Sequence, residues 1–167
     1  MKESVEAGRG TQAGDFRLED FLPYRLSVAA DTVSRLIARQ HLARSGLGMP
    51  EWRLLAAVGR YGVLSPTAAG ERTSMDKVKV SRAAASLVAR GLLRQTHDPE
   101  DGRGRLLRLT RKGTAIFTGV APMARDIETT LAAGLTKAEW SALQKALGKL
   151  CEHTQAIMTG GADGESD

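Results

Sequence analysis

The chain has 167 residues, a formal charge of +5, 42% hydrophobic and 4% aromatic residues, and a single cysteine, Cys151. That length suits one domain with helical extensions around an aliphatic core, and one cysteine excludes an internal disulfide framework. The polar start (Met1, Lys2, Glu3) and the lack of any apolar run of spanning length argue against a secretory signal and a membrane helix, and predict a cytoplasmic protein.

Residues 1–17 are rich in glycine and charge and read as a disordered tail, as do residues 159–167. From Leu18 to about Ser45 the helical period rules. Leu22, Leu26, Ala30, Val33 and Ile37 form one stripe, Pro23 is tolerable only in an opening turn, and Gly46 and Gly48 close a segment spanning 18–48. Pro50 sits at the first position of a second helix, which runs through Trp52, Leu55, Ala56 and Val58 to about Arg60. Tyr61-Gly62-Val63-Leu64 is a short connector. Ser65-Pro66 reads as an N-cap and a first-position proline for a short helix to Arg72. Thr73-Ser74 breaks it and offers a fresh cap for a longer helix from about Met75 to Arg90. On that helix Val80, Ala84, Leu87 and Val88 share a face, while Val78, Lys79, Arg82 and Ser86 point away from it.

Gly91 ends the helix, and Leu92 to Thr96 can pair with the alternating run Leu106-Leu107-Arg108-Leu109 as a hairpin with a long polar tip. Pro99, Gly102 and Gly104 punctuate that tip, which carries Arg103 and Arg105. A helix follows from about Arg111 to Ala133. Thr136-Lys137-Ala138-Glu139 is a capping box that opens a final helix to about Met158, with Trp140, Leu143, Leu147, Leu150 and Ile157 along one side. Taken together, the order predicts a mainly α chain with one β-hairpin, the plan of a winged helix-turn-helix over 49–110 flanked by long helices at 18–48 and 111–158.

The charge follows the same plan. Residues 72–112 hold eleven lysines and arginines against Asp76, Asp98, Glu100 and Asp101, so all of the positive excess lies in one segment. A helix that enters a major groove must present donors and small residues on its outer face. Lys77, Lys79, Ser81, Arg82 and Ser86 supply the donors, and Val78 and Ala85 are small enough for close approach. Ser65 and Thr67 at one helix start, and Ser74 at the next, could hold backbone phosphates. At the hairpin tip, Arg103 and Arg105 are placed for a minor groove, and Asp101 can accept a hydrogen bond that presets Arg103. The plain alternatives are a solvated helix face and a loop whose arginines only aid solubility.

Met75-Asp76-Lys77-Val78-Lys79-Val80-Ser81-Arg82, Gly91-Leu92, Asp98-Pro99-Glu100-Asp101-Gly102-Arg103 and Leu109-Thr110…Gly113 together resemble the MarR family of bacterial transcriptional regulators. The resemblance runs from about Leu18 to Met158 and is most specific over 73–113. It implies a homodimeric winged helix with interleaved first and last helices, Asp101 and Arg103 as the wing's Asp-x-Arg, and Ser81 and Arg82 as the groove-contacting pair. Gly102 departs from the family, which more often carries a larger polar residue there. Leu22, Leu26, Trp140, Leu143, Leu147, Leu150 and Ile157 are then the expected dimer contacts, because two such apolar helices exceed what a small monomer needs. A monomer covering its own core is the alternative. Two reading heads suit a pseudo-palindromic double-stranded DNA operator.

The resemblance also implies a small-molecule effector, of the phenolic-acid or CoA-thioester kind, between the terminal helices and the winged region. Tyr24, Arg25, Ser27, His41, Trp52 and Arg53 are the candidates, although Arg25 and Trp52 read equally well as a surface charge and a core ring. No cofactor or metal is expected: Cys151-Glu152-His153 lacks a second ligand pair, and His41 and His97 are scattered. Ser74-Met75-Asp76-Lys77 matches Ser-x-x-Lys of penicillin-binding enzymes without its partner motifs, so no enzyme is expected either. The reading is therefore a ligand-released repressor of a nearby operon. Its rivals are a redox sensor acting through Cys151, which otherwise reads as a packed thiol, and a protein–protein adaptor with a basic face.

Overall fold

The computed structural model describes residues 16–39, 45–99 and 104–160, and the chain divides between Met49 and Pro50 into two units. Both predicted tails, apart from Phe16 and Arg17 at one end and Thr159 and Gly160 at the other, lie outside the described residues. Phe16 and Arg17 belong to the fold of the first unit instead. The Phe16 and Phe21 rings meet edge to face with centroids 5.6 Å apart, and Arg17 pairs with Glu19 at 2.9 Å. A single helical turn at Leu18–Asp20 precedes α1 (Leu22–Ile37), where the sequence predicts one helix from Leu18 to about Ser45. Pro23 accounts for the later start. It has no N–H and fits only an opening turn, so the chain is extended at Phe21 and becomes helical immediately before the proline. No residue of α1 is buried.

The rest of the chain forms α2 (Met49–Tyr61), β1 (Val63–Leu64), α3 (Pro66–Thr73), α4 (Lys77–Ala89), β2 (Leu93–His97), β3 (Arg105–Leu109), α5 (Arg111–Ala132) and α6 (Lys137–Gly160). The connector predicted after α2 contains a strand. Gly62, at φ +83°, turns the chain so that β1 pairs antiparallel with β3, Val63 opposite Arg108 and Leu64 opposite Leu107. The sheet order is β1-β3-β2. Two residues are too few for alternation to show in a sequence.

The fully buried side chains of this unit come from three elements: Leu54, Leu55 and Val58 of α2, Val80 and Leu87 of α4, and Leu93 and Leu107 of the sheet. On α4 the buried stripe is Val80, Ala83, Ala84 and Leu87, the i, i+3, i+4, i+7 pattern of a helix packed on one side. Val88, expected on the same face, is 36% exposed because the next residue after Leu87 turns a further 100° away from the core. α5 starts on Thr110, whose hydroxyl caps the Gly113 N–H at 3.0 Å, and carries Pro122 in its interior.

The capping box forms as predicted. The Thr136 N–H donates to Glu139 Oε2 at 2.8 Å, and the Glu139 N–H donates back to Thr136 Oγ1 at 3.3 Å. Along α6 no residue is buried: Trp140 and Leu150 are half-buried, and Leu143 and Leu147 are 42% and 41% exposed. Cys151, expected to be packed, is exposed on this helix. No helix of the described residues is long and apolar enough to cross a membrane.

Candidate nucleic-acid interface

α3 and α4 are joined by a corner that contains a non-glycine residue at positive φ. Ser65 caps α3 as predicted, its hydroxyl oxygen accepting from the Ala68 N–H at 3.1 Å, with Pro66 in the first turn. Ser74 does not cap α4. It ends α3 in the left-handed region, at φ 52° and ψ 40°, and the following Met75 is buried with its N–H donating to Gly70 O at 3.1 Å. A serine with its Cβ pays a steric cost at positive φ, and the buried Met75 side chain and that hydrogen bond hold it there. The cap of α4 is Asp76, which accepts from the Lys79 N–H at 2.8 Å. Aspartate is as good an N-cap as serine, and only the buried Met75 moves the helix start two residues on.

That cap also ties Asp76 to the pH dependence of stability. Its carboxyl is held below the ordinary value chiefly by the Lys79 backbone N–H, then by the Lys79 side chain. Glu139 is lowered in the same way by Thr136. A depressed folded pKa contributes stability above the unfolded value, lost as pH falls through the folded one. Wild-type stability should thus decline below the ordinary carboxylate range, and Asp76→Asn should decline less steeply there. Thermal unfolding of both proteins across that range checks the difference, and parallel profiles would refute it.

The outward face of α4 carries Lys77, Val78, Lys79, Ser81, Arg82 and Ala85, all exposed. The Lys79 ammonium rests 3.2 Å from Asp76, an exposed pair that a phosphate can replace at little cost. A groove of about 740 Å³ runs between α3 and α4. Val80 and Ala84 floor it, and Thr67, Lys77 and Ser81 are among its rim. Gln95 of β2 borders the same groove, so hairpin and helix share one concave surface. The sequence offered no signal for Gln95.

Ser86 departs from the expected outward stripe. It is half-buried and its hydroxyl donates to the Glu51 carboxylate of α2, an occupation internal to the fold. Three cations of the basic segment are similarly held by the protein itself. Arg72 lies 4.8 Å over the Tyr61 ring, Arg90 pairs with Glu51 at 3.5 Å, and Lys112 donates to the Arg90 carbonyl at 3.1 Å.

Lys77, Lys79, Arg82, Arg94, Arg105 and Arg111 remain exposed. In the hairpin the Asp98 N–H donates to Gly104 O at 3.0 Å, Arg94 stands opposite Arg108, and His97 opposite Arg105. Neither β2 nor β3 contains an acidic residue. Asp101 and Arg103 at the tip lie outside the described residues.

Of the effector candidates, Tyr24, Arg25 and Ser27 are exposed on α1 in the first unit. Trp52 is half-buried and Arg53 exposed on α2, and His41 lies outside the described residues. Among the described residues no group of three or more histidines, cysteines, aspartates and glutamates could hold a metal.

Comparison with known proteins places this arrangement among regulators. The model of the MarR family matches residues 45–104. The transcriptional regulator HosA of Escherichia coli O111:H- is 27% identical over 99 residues, covering 56% of this chain and 73% of that protein. A crystal structure of a probable transcriptional regulator from Pseudomonas aeruginosa superposes with a TM-score of 0.71 at 30% identity, covering 80% of this chain and 99% of the other. Bordetella bronchiseptica BpsR, whose DNA binding is regulated by 6-hydroxynicotinic acid, superposes with a TM-score of 0.71 at 29% identity, covering 78% and 98%.

Proposed function

Because this chain belongs to the MarR family of winged-helix transcriptional regulators, whose members are not enzymes, we propose that it binds a pseudo-palindromic operator as a homodimer and represses a nearby operon until a small ligand releases it. The observation that carries the reading is the concave surface shared by α4 and β2. Its rim gathers Thr67, Lys77 and Ser81, and α4 also exposes Lys79 and Arg82. Lys79, Ser81 and Arg82 read base edges, and Val78 meets a thymine methyl. Ser65, Thr67, Ser74 and Lys77 hold phosphates. Arg103 and Arg105 serve the minor groove, and Asp101, two residues before Arg103 in the chain, is the acceptor suited to orient it.

Each phosphate neutralised releases counterions, so operator affinity should fall by about 10³-fold or more between about 50 and 200 mM salt. A gel-shift titration against the DNA upstream of the chain's own gene measures this. A flat dependence would point instead to an adaptor with a basic face.

Regulation by an aromatic acid in BpsR, at 29% identity, supports an effector of that chemical kind here. Substituting Tyr24, Arg25, Ser27, His41, Trp52 and Arg53 one at a time tests which of them such an acid needs, since an arginine suits a carboxylate and a ring suits an aromatic body. Adding hydroxylated aromatic acids and their CoA thioesters to the protein–DNA complex tests release. A complex that none of them dissociates removes this part of the reading.

A further inference from the structure

Glu51, in the first turn of α2, has a side chain only 17% exposed. Ser86 donates its hydroxyl to Oε1 across 35 residues of sequence, and the Arg90 guanidinium lies 3.5 Å from Oε2. Ser86 and Arg90 are four apart and so lie on one face of α4. Counting back by four and then three residues, the same stripe carries Arg82 and Lys79. One largely buried carboxylate therefore grips the C-terminal half of the stripe whose N-terminal half faces outward with cationic donors.

Nearby ties act differently. Lys112 holds the Arg90 carbonyl at 3.1 Å and Thr110 holds the Gly91 carbonyl at 2.6 Å, which locates the end of α4 through its backbone. Glu51 holds side chains, and side chains report how far the helix is rolled about its own axis.

We propose that Glu51 is a positioning residue for base recognition, fixing the roll of α4 through Ser86 and Arg90 without touching DNA. The inference rests on the DNA-binding reading above. Taking a carboxylate out of water is costly, and a device that defines a single orientation justifies that cost. A roll of the helix leaves phosphate contacts largely intact, because they are attractions between charges. It ruins hydrogen bonds to base edges, which need a fixed geometry. The signature of Glu51 is thus a loss of discrimination without a loss of general affinity.

The test uses the full chain and two duplexes of equal length: the tightest one the wild type selects from a random-sequence pool, and an unrelated one. Glu51→Gln keeps the side-chain volume and an acceptor for Ser86 but drops the charge facing Arg90. Glu51→Ala removes both ties. The ratio of selected to unrelated affinity should fall about tenfold for Glu51→Gln and about 100-fold for Glu51→Ala, with affinity for the unrelated duplex unchanged. Adding Ser86→Ala to Glu51→Ala should change the ratio no further, since the partner is already gone.

An unchanged ratio in the folded variants overturns the proposal. So does a parallel fall of both affinities with the melting temperature, which is the mark of a purely structural role. Should Glu51→Ala fail to fold, Glu51→Gln decides alone. A wild-type chain that selects no duplex at all overturns the DNA-binding reading itself.

Discussion

A chain carrying Leu143→Glu and Leu147→Glu should sediment as a monomer and bind its operator about 100-fold more weakly than the wild type. Both leucines lie on α6, a helix of 24 residues in which none is buried, and both are more than 40% exposed in the single chain. A helix in a protein draws most of its stability from packing an apolar face, and α6 leaves Leu143, Leu147, Ile157 and Met158 exposed. A second copy is the cover that the proposed homodimer supplies. Carboxylates at two central positions would have to enter that interface unpaired, which is prohibitive. Losing the partner removes the second reading head, and with it the gain from engaging two half-sites at once. Analytical ultracentrifugation and a gel shift on the same preparation check both statements. A double variant that remains dimeric would show that α6 is not the interface.

Gly113→Ala should destabilise the fold by about 3 kcal/mol, a large change for one methyl group. A Cβ built at Gly113 would lie 1.9 Å from the Leu92 carbonyl oxygen and 3.2 Å from Leu109 Cδ2. The nearest obstacle is backbone and has no rotamer into which to retreat. The same corner holds the hydrogen bonds of Thr110 to the Gly91 and Leu92 carbonyls, so relief in one direction breaks contacts in another. Gly119→Ala, on the same helix with nothing within 4 Å of a built Cβ, is the control and should gain up to about 1 kcal/mol. Urea unfolding of the three proteins at one concentration measures the pair of effects. Equal stability of Gly113→Ala and the wild type would mean that the close approach of α5 to the α4–β2 corner is absent in solution.

The features legible in the sequence were those written in local chemistry. Ser65-Pro66 and Thr136-x-x-Glu139 carry their own capping partners within three residues, and each forms as read. The β2–β3 hairpin and the exposed Lys79, Ser81 and Arg82 follow from alternation and helical period alone. Misreadings arose where a distant contact overrules a local preference. Ser74 has the chemistry of a cap, but burial of Met75 makes it the end of the preceding helix and passes the cap to Asp76. Ser86 has the phase of an outward donor, but Glu51 claims it from 35 residues away. β1 exists only because Arg108 and Leu107 lie alongside it. Gly113 could be read as part of a familiar pattern, yet the reason for glycine there is a carbonyl on another element.

The pairing of Arg94 with Arg108 gives the hairpin two opposite responses to ionic strength. Without a duplex, guanidinium groups facing each other across a ladder repel, and mobile anions with a screening length of about 10 Å at 0.1 M salt soften that repulsion. A bound polyanion offers the same relief in concentrated form. Dilute buffer, which favours the tightest complex, is therefore also where the unoccupied wing is least secure, and brine steadies the finger while loosening its grip.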